Sequence, residues 1–267
     1  MRARPLKKDL VLLSLLLLVF APLNLFGNEI DVPGFSGLER DRYYGRGGIE
    51  QLHTFLEEEG PLKSLGTEEL TLFVIPPPKR LDWESPAKLL RSLYDMQKAA
   101  FFEPKGSKHK IGHVFVSLRS RFHPQVLTGM TTYNSSEEID LVKSQGYGIG
   151  VLTADLRGKL DAAGPLAREV ALRLREGRIG YIRFAISDEM SIRLWNYYKQ
   201  YCARGMDEHY GGANRPIYGE GGGCSAFGVS FIEAAGLMKA EYQENWKFRV
   251  NLPRFRTNLV CSQAATG

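Results

Sequence analysis

The chain is poor in cysteine, with only 3 in 267 residues, and no Cys/His spacing in it resembles a zinc-binding site. We therefore predict no metal, and no cofactor either. Internal repeats and low-complexity tracts are also lacking, which argues against a repeat architecture. The composition is 43% hydrophobic and 24% charged, as is typical of a globular protein of one domain, or of one domain with an extension.

A strong excess of positive charge is lacking once the N-terminus is set aside. The formal net charge is +5, but residues 1–27 contain four basic residues and one acidic residue and so supply most of it. The sequence pI of about 9.0 is therefore largely a property of this segment. We accordingly predict no nucleic-acid partner.

The N-terminal apolar run, Leu10–Phe26, is interrupted by Pro22 and Asn24 and is short for a membrane-spanning helix. Because it follows a basic cluster, residues 1–27 are typical of a secretory signal peptide, with an uncleaved N-terminal anchor as the alternative. No cysteine follows the run, which excludes a lipoprotein signal. We expect an exported protein, in the periplasm or cell envelope, with membrane association through this segment left open.

The remaining chain is predicted to form an N-terminal extension (28–66), one domain (67–253) and a C-terminal tail (254–267). Periodicity and turn residues predict strands at Leu70–Ile75, Lys110–Leu118, Gln125–Tyr133, Gly148–Ala154, Ile179–Ile186 and Trp246–Val250. They predict helices at Ile49–Glu59, Ser85–Ala100, Ser135–Gln145 and Pro165–Glu176, and one that Ser187 caps. Short strands with segregated helices indicate an α+β fold.

The segment Gly219–Met238 contains the strongest candidate for a nucleophile. Cys224 follows three glycines, 221–223, and begins a predicted helix, where free backbone N–H groups favour a thiolate. The glycines would let a substrate carbonyl approach the sulfur and nearby N–H donors. Tyr218 could place a hydroxyl near a developing oxyanion, or serve packing. The alternative for Cys224 is burial in the core, as is common for helical cysteines.

The cysteine count also bears on Cys224. Three cysteines are an odd number for an exported protein, so one should stay unpaired. If Cys202 pairs with Cys261, the unpaired thiol is Cys224. The alternative is that all three are reduced and buried.

Among the five histidines, His113 is the best candidate for a base, because it lies inside a predicted strand and follows Gly112. The alternative is an ordinary core histidine. His109 is flanked by two lysines at the start of that strand, which favours exposure to solvent. The other histidines lie in the extension, in a basic turn and in a loop: His53, His123 and His209.

A catalytic imidazole also needs a polar group at its far nitrogen. The strand containing His113 and the next predicted strand should form a hairpin. A turn centred near Arg119 places Gln125 opposite His113, so Gln125 is the candidate, with His123 as the alternative. Gln125 could equally be an ordinary exposed strand residue.

Three motifs together resemble the circularly permuted branch of the NlpC-type papain-like cysteine peptidases. They are GHVFVSL, then ISDEMSIRLWNYYKQY, then GGGCSAFGVSFIEAAGL with a tyrosine shortly before it. The similarity covers about half of the chain, roughly Lys110–Met238. It implies a papain-like antiparallel sheet with packed helices, in which the histidine strand precedes the cysteine helix.

The resemblance implies that Cys224 is the nucleophile, His113 the base and Gln125 the residue that orients it. Tyr218 matches the tyrosine that precedes the cysteine in the family, and Gly223 stands where the family usually has Asn or Asp. The implied activity is hydrolysis of an amide or ester in a cell-envelope substrate, such as a peptidoglycan peptide, through an acyl-enzyme. The alternatives are a lipid acyltransferase acting on an acyl lipid, and a catalytically silent envelope binding or scaffold protein.

Overall fold

The computed structural model describes residues 66–134 and 136–246. The predicted signal peptide, the helix at Ile49–Glu59, Cys261 and the C-terminal tail lie outside the described residues, as does all of the 28–66 extension except Gly66. No helix within the described residues combines the length and the apolarity that crossing a membrane requires.

The described residues form an α+β arrangement with antiparallel sheets and packed helices. The strands are β1 (Glu69–Ile75), β2 (His113–Arg119), β3 (Val126–Thr128), β4 (Met130–Thr132), β5 (Leu156–Leu160), β6 (Gly180–Ala185) and β7 (His209–Tyr210). The α-helices are α1 (Pro86–Ala100), α2 (Glu137–Gln145), α3 (Ala163–Arg175), α4 (Asp188–Ala203), α5 (Cys224–Ala234) and α6 (Ala240–Trp246).

The main sheet has the strand order β3-β2-β1-β6, and all of its neighbouring strands are antiparallel. Strand β2 therefore lies between two partners and is buried along almost its whole length. The alternating pattern GHVFVSL is typical of a strand with one buried face, but both faces of β2 are buried, because helices cover both faces of the sheet.

One face of β1 and β2 packs against α4 and α5. Alternate residues of the strands, including Leu72, Val114 and Val116, share a core with Phe227 and Phe231 of α5. Helix α5 lies unusually close to the sheet at Gly228, where an added Cβ would come within 2.6 Å of a methyl carbon of Val114. This packing fixes the start of α5 over β2.

The opposite face of the sheet packs against α3. Phe73, Ile75 and Phe115 contact apolar residues of this helix, including Leu166 and Val170. Leu166 and Val170, four residues apart, therefore form the inward face of this helix.

The second sheet has the order β4-β5-β7. The single strand expected at Gln125–Tyr133 is divided at Gly129 into β3 and β4, which belong to different sheets. The prediction of a strand at Gly148–Ala154 is wrong, because Ile149–Thr153 forms a 3-10 helix. Strand β5 was not expected. Trp246 ends α6, and the rest of the last predicted strand lies outside the described residues.

Candidate active site

Cys224 is the first residue of α5, as its sequence context predicted, and Gly223 occupies the N-cap position with extended backbone. The helix ends before Gly236, whose φ of 68° is the left-handed conformation expected of a helix stop. Cys224 itself is only partly buried. The residue therefore lies at a helix N-terminus and is not wholly enclosed by the core.

His113 and Cys224 are brought together as the sequence predicted, and their side chains share a hydrogen bond. Burial raises the pKa of the Cys224 thiol, but the hydrogen bond and the positive charge of His113 outweigh this and lower the pKa below its usual value. The backbone N–H of Val114 contributes in the same direction. These contacts favour a thiolate beside an imidazolium.

Asp161 supplies the group at the far nitrogen of His113. Its Oδ2 lies 3.0 Å from Nε2 of His113, an ion-pair contact in which the ring N–H is not aligned with the oxygen. Since Nε2 lies against Asp161, Nδ1 is the nitrogen left for the thiol. Burial lowers the pKa of His113, but the Asp161 carboxylate and the Cys224 thiolate outweigh this and raise the pKa to about 9.

The backbone of Asp161 is anchored to the strand beside His113. Its N–H donates to the carbonyl of Gly129 (2.9 Å), and its carbonyl accepts a hydrogen bond from the hydroxyl of Thr128 (2.9 Å). The side chain is almost fully buried. Burial alone would raise the pKa of Asp161, but the two imidazoles beside it, His109 and His113, hold the pKa of that carboxyl well below its usual range.

Gln125 does not lie opposite His113, so the register expected for the hairpin is wrong. Leu118 pairs with Val126 and Val116 with Thr128, which places Gln125 level with Arg119 at the other end of β2. The turn is centred near residue 122, whereas the expected pairing of residues 113 and 125 needs a centre at residue 119. Moving the centre of a hairpin by three residues shifts the residue opposite His113 by six.

Gly129 lies directly behind the imidazole of His113. A Cβ at this position would come within 2.8 Å of Nε2 of His113 and within 2.9 Å of the carbonyl oxygen of Val114. No side chain fits there without displacing the imidazole or the strand. The break between β3 and β4 thus makes room for the imidazole of His113.

Tyr210, rather than Tyr218, contacts the thiol. The phenol oxygen of Tyr210 accepts a hydrogen bond from the backbone N–H of Cys224 and also contacts its sulfur. Burial and the nearby thiolate raise the pKa of Tyr210 well above its usual value, so the hydroxyl keeps its hydrogen. The ring of Tyr218 is 54% exposed and lies beneath the guanidinium of Arg215.

The glycines before Cys224 have a packing role that the sequence did not predict. A Cβ at Gly221 would lie 2.3 Å from the backbone oxygen of His209, and one at Gly222 would lie 2.5 Å from the ring of Pro216. These two glycines therefore fit the loop against its neighbours rather than leaving space for a substrate. Gly223 has no such contact, and its N–H donates to the carbonyl of Gly211 (2.8 Å).

His109 is buried, and the solvent exposure expected of it is wrong. The flanking lysines indicated solvent, but carboxylates distant in the chain satisfy both of its ring nitrogens. His123 stacks on Trp195, and His209 is paired with Asp155 at the surface.

Cys202 lies on α4 and packs against the core, and it forms no disulfide within the described residues. Burial and the charge of Asp207 raise its pKa far above the usual value, so it is a poor nucleophile. Its pairing with Cys261 stays untested, since Cys261 lies outside the described residues.

Three buried side chains, His109, His113 and Asp161, place potential metal-ligand atoms within 4.8 Å of one another. The two imidazole rings, however, are stacked with 8° between their planes and 3.8 Å between their centres. A metal ion must lie close to the plane of each imidazole that binds it, and two parallel planes separated by a ring thickness share no such point. The cluster therefore fits an ion-pair network better than a metal site.

No protein-family model matches this chain, and comparisons with curated proteins and with solved structures likewise find no match. The function of the site is therefore argued from its own chemistry.

Sequence reasoning missed Asp161 and Tyr210. A signal for Asp161 was present, because LRGKLD alternates apolar or small residues with basic ones before reaching the acid, as a strand ending in a polar residue does. Tyr210 carries no comparable signal. Its position follows from the pairing of β7 with β5, in which Leu156 lies opposite Tyr210.

Proposed function

We propose that this protein is a cysteine hydrolase or acyltransferase in which Cys224 attacks the carbonyl carbon of an amide or ester. The observation that carries the proposal is the hydrogen bond between Cys224 and His113, with Asp161 at the other nitrogen of the imidazole. Nucleophile, base and orienting carboxylate are the three parts that thiol catalysis requires.

The proposed reaction proceeds in two steps. In the first, the sulfur of Cys224 forms a bond to the carbonyl carbon, and the thiol proton resides on His113. As the bond to the leaving nitrogen or oxygen breaks, His113 gives that proton to the leaving group, and a thioester remains on Cys224. In the second step, water or an acceptor alcohol attacks the thioester and passes its proton to His113, the carbon–sulfur bond breaks to release the acid or the new ester, and the Cys224 thiolate is left beside the protonated His113.

Tyr210 is the proposed oxyanion donor. Its hydroxyl is held beside the sulfur by the backbone N–H of Cys224, and its high pKa keeps the hydrogen available. A hydroxyl at this position can donate to the carbonyl oxygen as negative charge develops there. We thus assign to Tyr210 the role that the resemblance suggested for Tyr218.

The fold and the setting of the reaction are part of the same proposal. Helix α5 packs across β2, and the histidine strand precedes the cysteine helix in the chain, in accord with a permuted papain-like fold. With the signal-like segment at residues 1–27, this supports an exported enzyme acting on a cell-envelope peptide or acyl lipid. The alternative is a catalytically silent envelope protein with the same fold.

The reactivity of Cys224 tests the proposal directly. Iodoacetamide at pH 6 should alkylate Cys224 quickly and leave Cys202 unmodified, because the pKa of the Cys224 thiol is lowered and that of the Cys202 thiol is raised. Peptide mapping of the full chain identifies the modified residue. The variant His113→Ala should remove the selectivity. Equal, slow labelling of Cys202 and Cys224 in the wild-type protein would favour the silent protein.

Acyl transfer itself is tested with p-nitrophenyl acetate. Intact mass spectrometry should detect one acetyl group on the wild-type chain and none on Cys224→Ser. Incubation with envelope extract then separates the substrate classes, since a peptidyl adduct indicates an amidase and a fatty-acyl adduct indicates a lipid acyltransferase. Wild-type protein that forms no adduct with any of these acyl donors would contradict the proposal.

A further inference from the structure

His109 lies just outside the proposed catalytic group and is held by helix α3 through three polar contacts. Its backbone N–H donates to Oε1 of Glu169 (3.1 Å), and its carbonyl accepts a hydrogen bond from Arg173 (2.9 Å). Its Nδ1 lies 2.8 Å from Oε2 of Glu169. Glu169 and Arg173 are one helical turn apart and are themselves paired. The imidazole therefore has one fixed position.

The hydrogen-bond partners of His109 determine how many protons it carries. Nδ1 faces a carboxylate oxygen of Glu169, and Nε2 lies 3.1 Å from Oδ2 of Asp161. Ionised carboxylates only accept hydrogen bonds, so both ring nitrogens must donate. Both acids are held ionised, since the pKa of Asp161 lies well below its usual range and that of Glu169 is lowered to about 2. For both, burial opposes the lowering and the hydrogen bond from His109 leads the effects that outweigh it. Each carboxylate also has a cationic partner other than that ring, since Arg173 pairs with Glu169 and Lys108 pairs with Asp161. This hydrogen-bonding pattern makes His109 a buried imidazolium.

This cation lies face to face with the proposed base. The rings of His109 and His113 are stacked with 3.8 Å between their centres, and their Nε2 atoms contact the same oxygen of Asp161. The N–H of His109 is aligned with that oxygen, whereas the N–H of His113 is not. His109 thus competes with His113 for the carboxylate and places a positive charge against its ring.

The other charged groups around the pair are paired or solvated. Lys108 contacts Oδ1 of Asp161 but is 54% exposed, so solvent screens its charge. Arg173 is bound to Glu103, and Arg178 also pairs with Glu103. Among the described residues, His109 is therefore the cation that acts on His113 at contact distance.

We propose that His109 is a positioning residue of the thiol chemistry proposed above, and that it limits how strongly His113 holds its proton. Asp161 and the thiolate favour an imidazolium at His113, whereas His109 opposes it by charge and by occupying the shared oxygen. A base that held its proton too firmly would be a poor acid toward the leaving group. His109 keeps His113 able to take up the proton and to release it.

The test is the titration of His113 in the full chain, observed by NMR of ¹³C-labelled histidine in a Cys224→Ala background, which removes the thiol from the equilibrium. The added change His109→Gln should raise the midpoint of His113 by about one pH unit or more, because a like charge in contact disfavours the charged form. The matched control His123→Gln removes a histidine that stacks on Trp195 and should leave the midpoint unchanged.

The direction in which the midpoint of His113 moves distinguishes the proposed role of His109 from a purely structural role. If His109 only anchored Asp161, its loss would free the carboxylate and lower the midpoint of His113. An unchanged or lowered midpoint in a folded variant would overturn the inference.

Glu169→Gln supplies a second variant in case His109→Gln does not fold. It replaces the carboxylate that faces Nδ1 of His109 by a neutral amide and so weakens the preference of His109 for a second proton, and it should shift the midpoint in the same upward direction. Neither result depends on activity. Failure of the proposed function would appear in the labelling of wild-type Cys224 instead.

Discussion

The variant Asp161→Asn removes one negative charge from the site and nearly preserves the shape of the side chain. In the wild-type protein the pKa of His113 is raised from 6.5 to about 9, although burial acts in the opposite direction. An opposite charge in contact shifts a pKa by roughly one to three units, and one unit corresponds to about 1.4 kcal/mol. We expect the pKa of His113 to fall by about one to two units, to about 7–8.

The measurable consequence is a loss of thiolate. A shift of about one to two units destabilises the pair formed by the Cys224 thiolate and the His113 imidazolium by about 1.4–2.8 kcal/mol. Because the ion pair is in equilibrium with the neutral thiol and imidazole, the rate of alkylation of Cys224 by iodoacetamide at pH 6 should then fall, by up to about a hundredfold. Peptide mapping over a time course measures this rate. The midpoint of urea unfolding checks that the variant is folded.

The matched control is Asp155→Asn, which removes a solvent-exposed carboxylate paired with His209. It should leave the alkylation rate unchanged. A folded Asp161→Asn variant whose Cys224 reacted at the wild-type rate would refute the reasoning, because it would mean that the carboxylate does not stabilise the imidazolium.

Three further substitutions test other parts of the site. Gly129→Ala should destabilise the fold by about 1–3 kcal/mol and slow the alkylation of Cys224, because the added methyl group would displace the imidazole of His113; urea unfolding and peptide mapping measure the two effects. Tyr210→Phe should slow acylation by p-nitrophenyl acetate by about tenfold to a thousandfold, with a smaller effect on alkylation, since the hydroxyl acts on the oxyanion. Glu169→Gln should flatten the dependence of the free energy of unfolding on pH. The ionised Glu169, whose pKa is lowered from 4.5 to about 2, stabilises the wild-type fold by about 3 kcal/mol above pH 4.5, and this is lost as the pH falls through about 2.

Each of these three substitutions has a matched control. Gly180→Ala also adds a methyl group within a strand, but its nearest neighbour would lie at an ordinary 3.8 Å, so stability should hardly change. Tyr218→Phe should leave acylation unaffected, and a larger effect there than at Tyr210 would restore Tyr218 as the oxyanion residue. Glu189→Gln changes a highly exposed acid and should leave the acid dependence of unfolding as it is.

Local patterns in the chain were sufficient for much of the fold and for two members of the site. Ser187 caps α4 through a hydrogen bond to the N–H of Met190, as its position before two acids predicted. Cys224 begins α5, and His113 lies in a strand, because glycines and alternating apolar residues are local signals. Their order in the chain also suggested that they meet.

The remaining members of the site depend on contacts that no local pattern encodes. Gln125 was expected at the far nitrogen of His113, but the register of the hairpin places it at the other end of β2. Asp161 lies at that nitrogen instead, and its backbone N–H donates to the carbonyl of Gly129. The two flanking lysines of His109 indicated a surface residue, but carboxylates 52 and 60 residues later, Asp161 and Glu169, pair with its ring nitrogens and compensate for its burial. Hydrophobic periodicity and helix capping depend on a few adjacent residues. The register of paired strands and the pairing of buried charges depend on the whole fold. The sequence alone therefore determined that Cys224 begins a helix, and the tertiary structure decided which carboxylate and which second imidazole lie against His113.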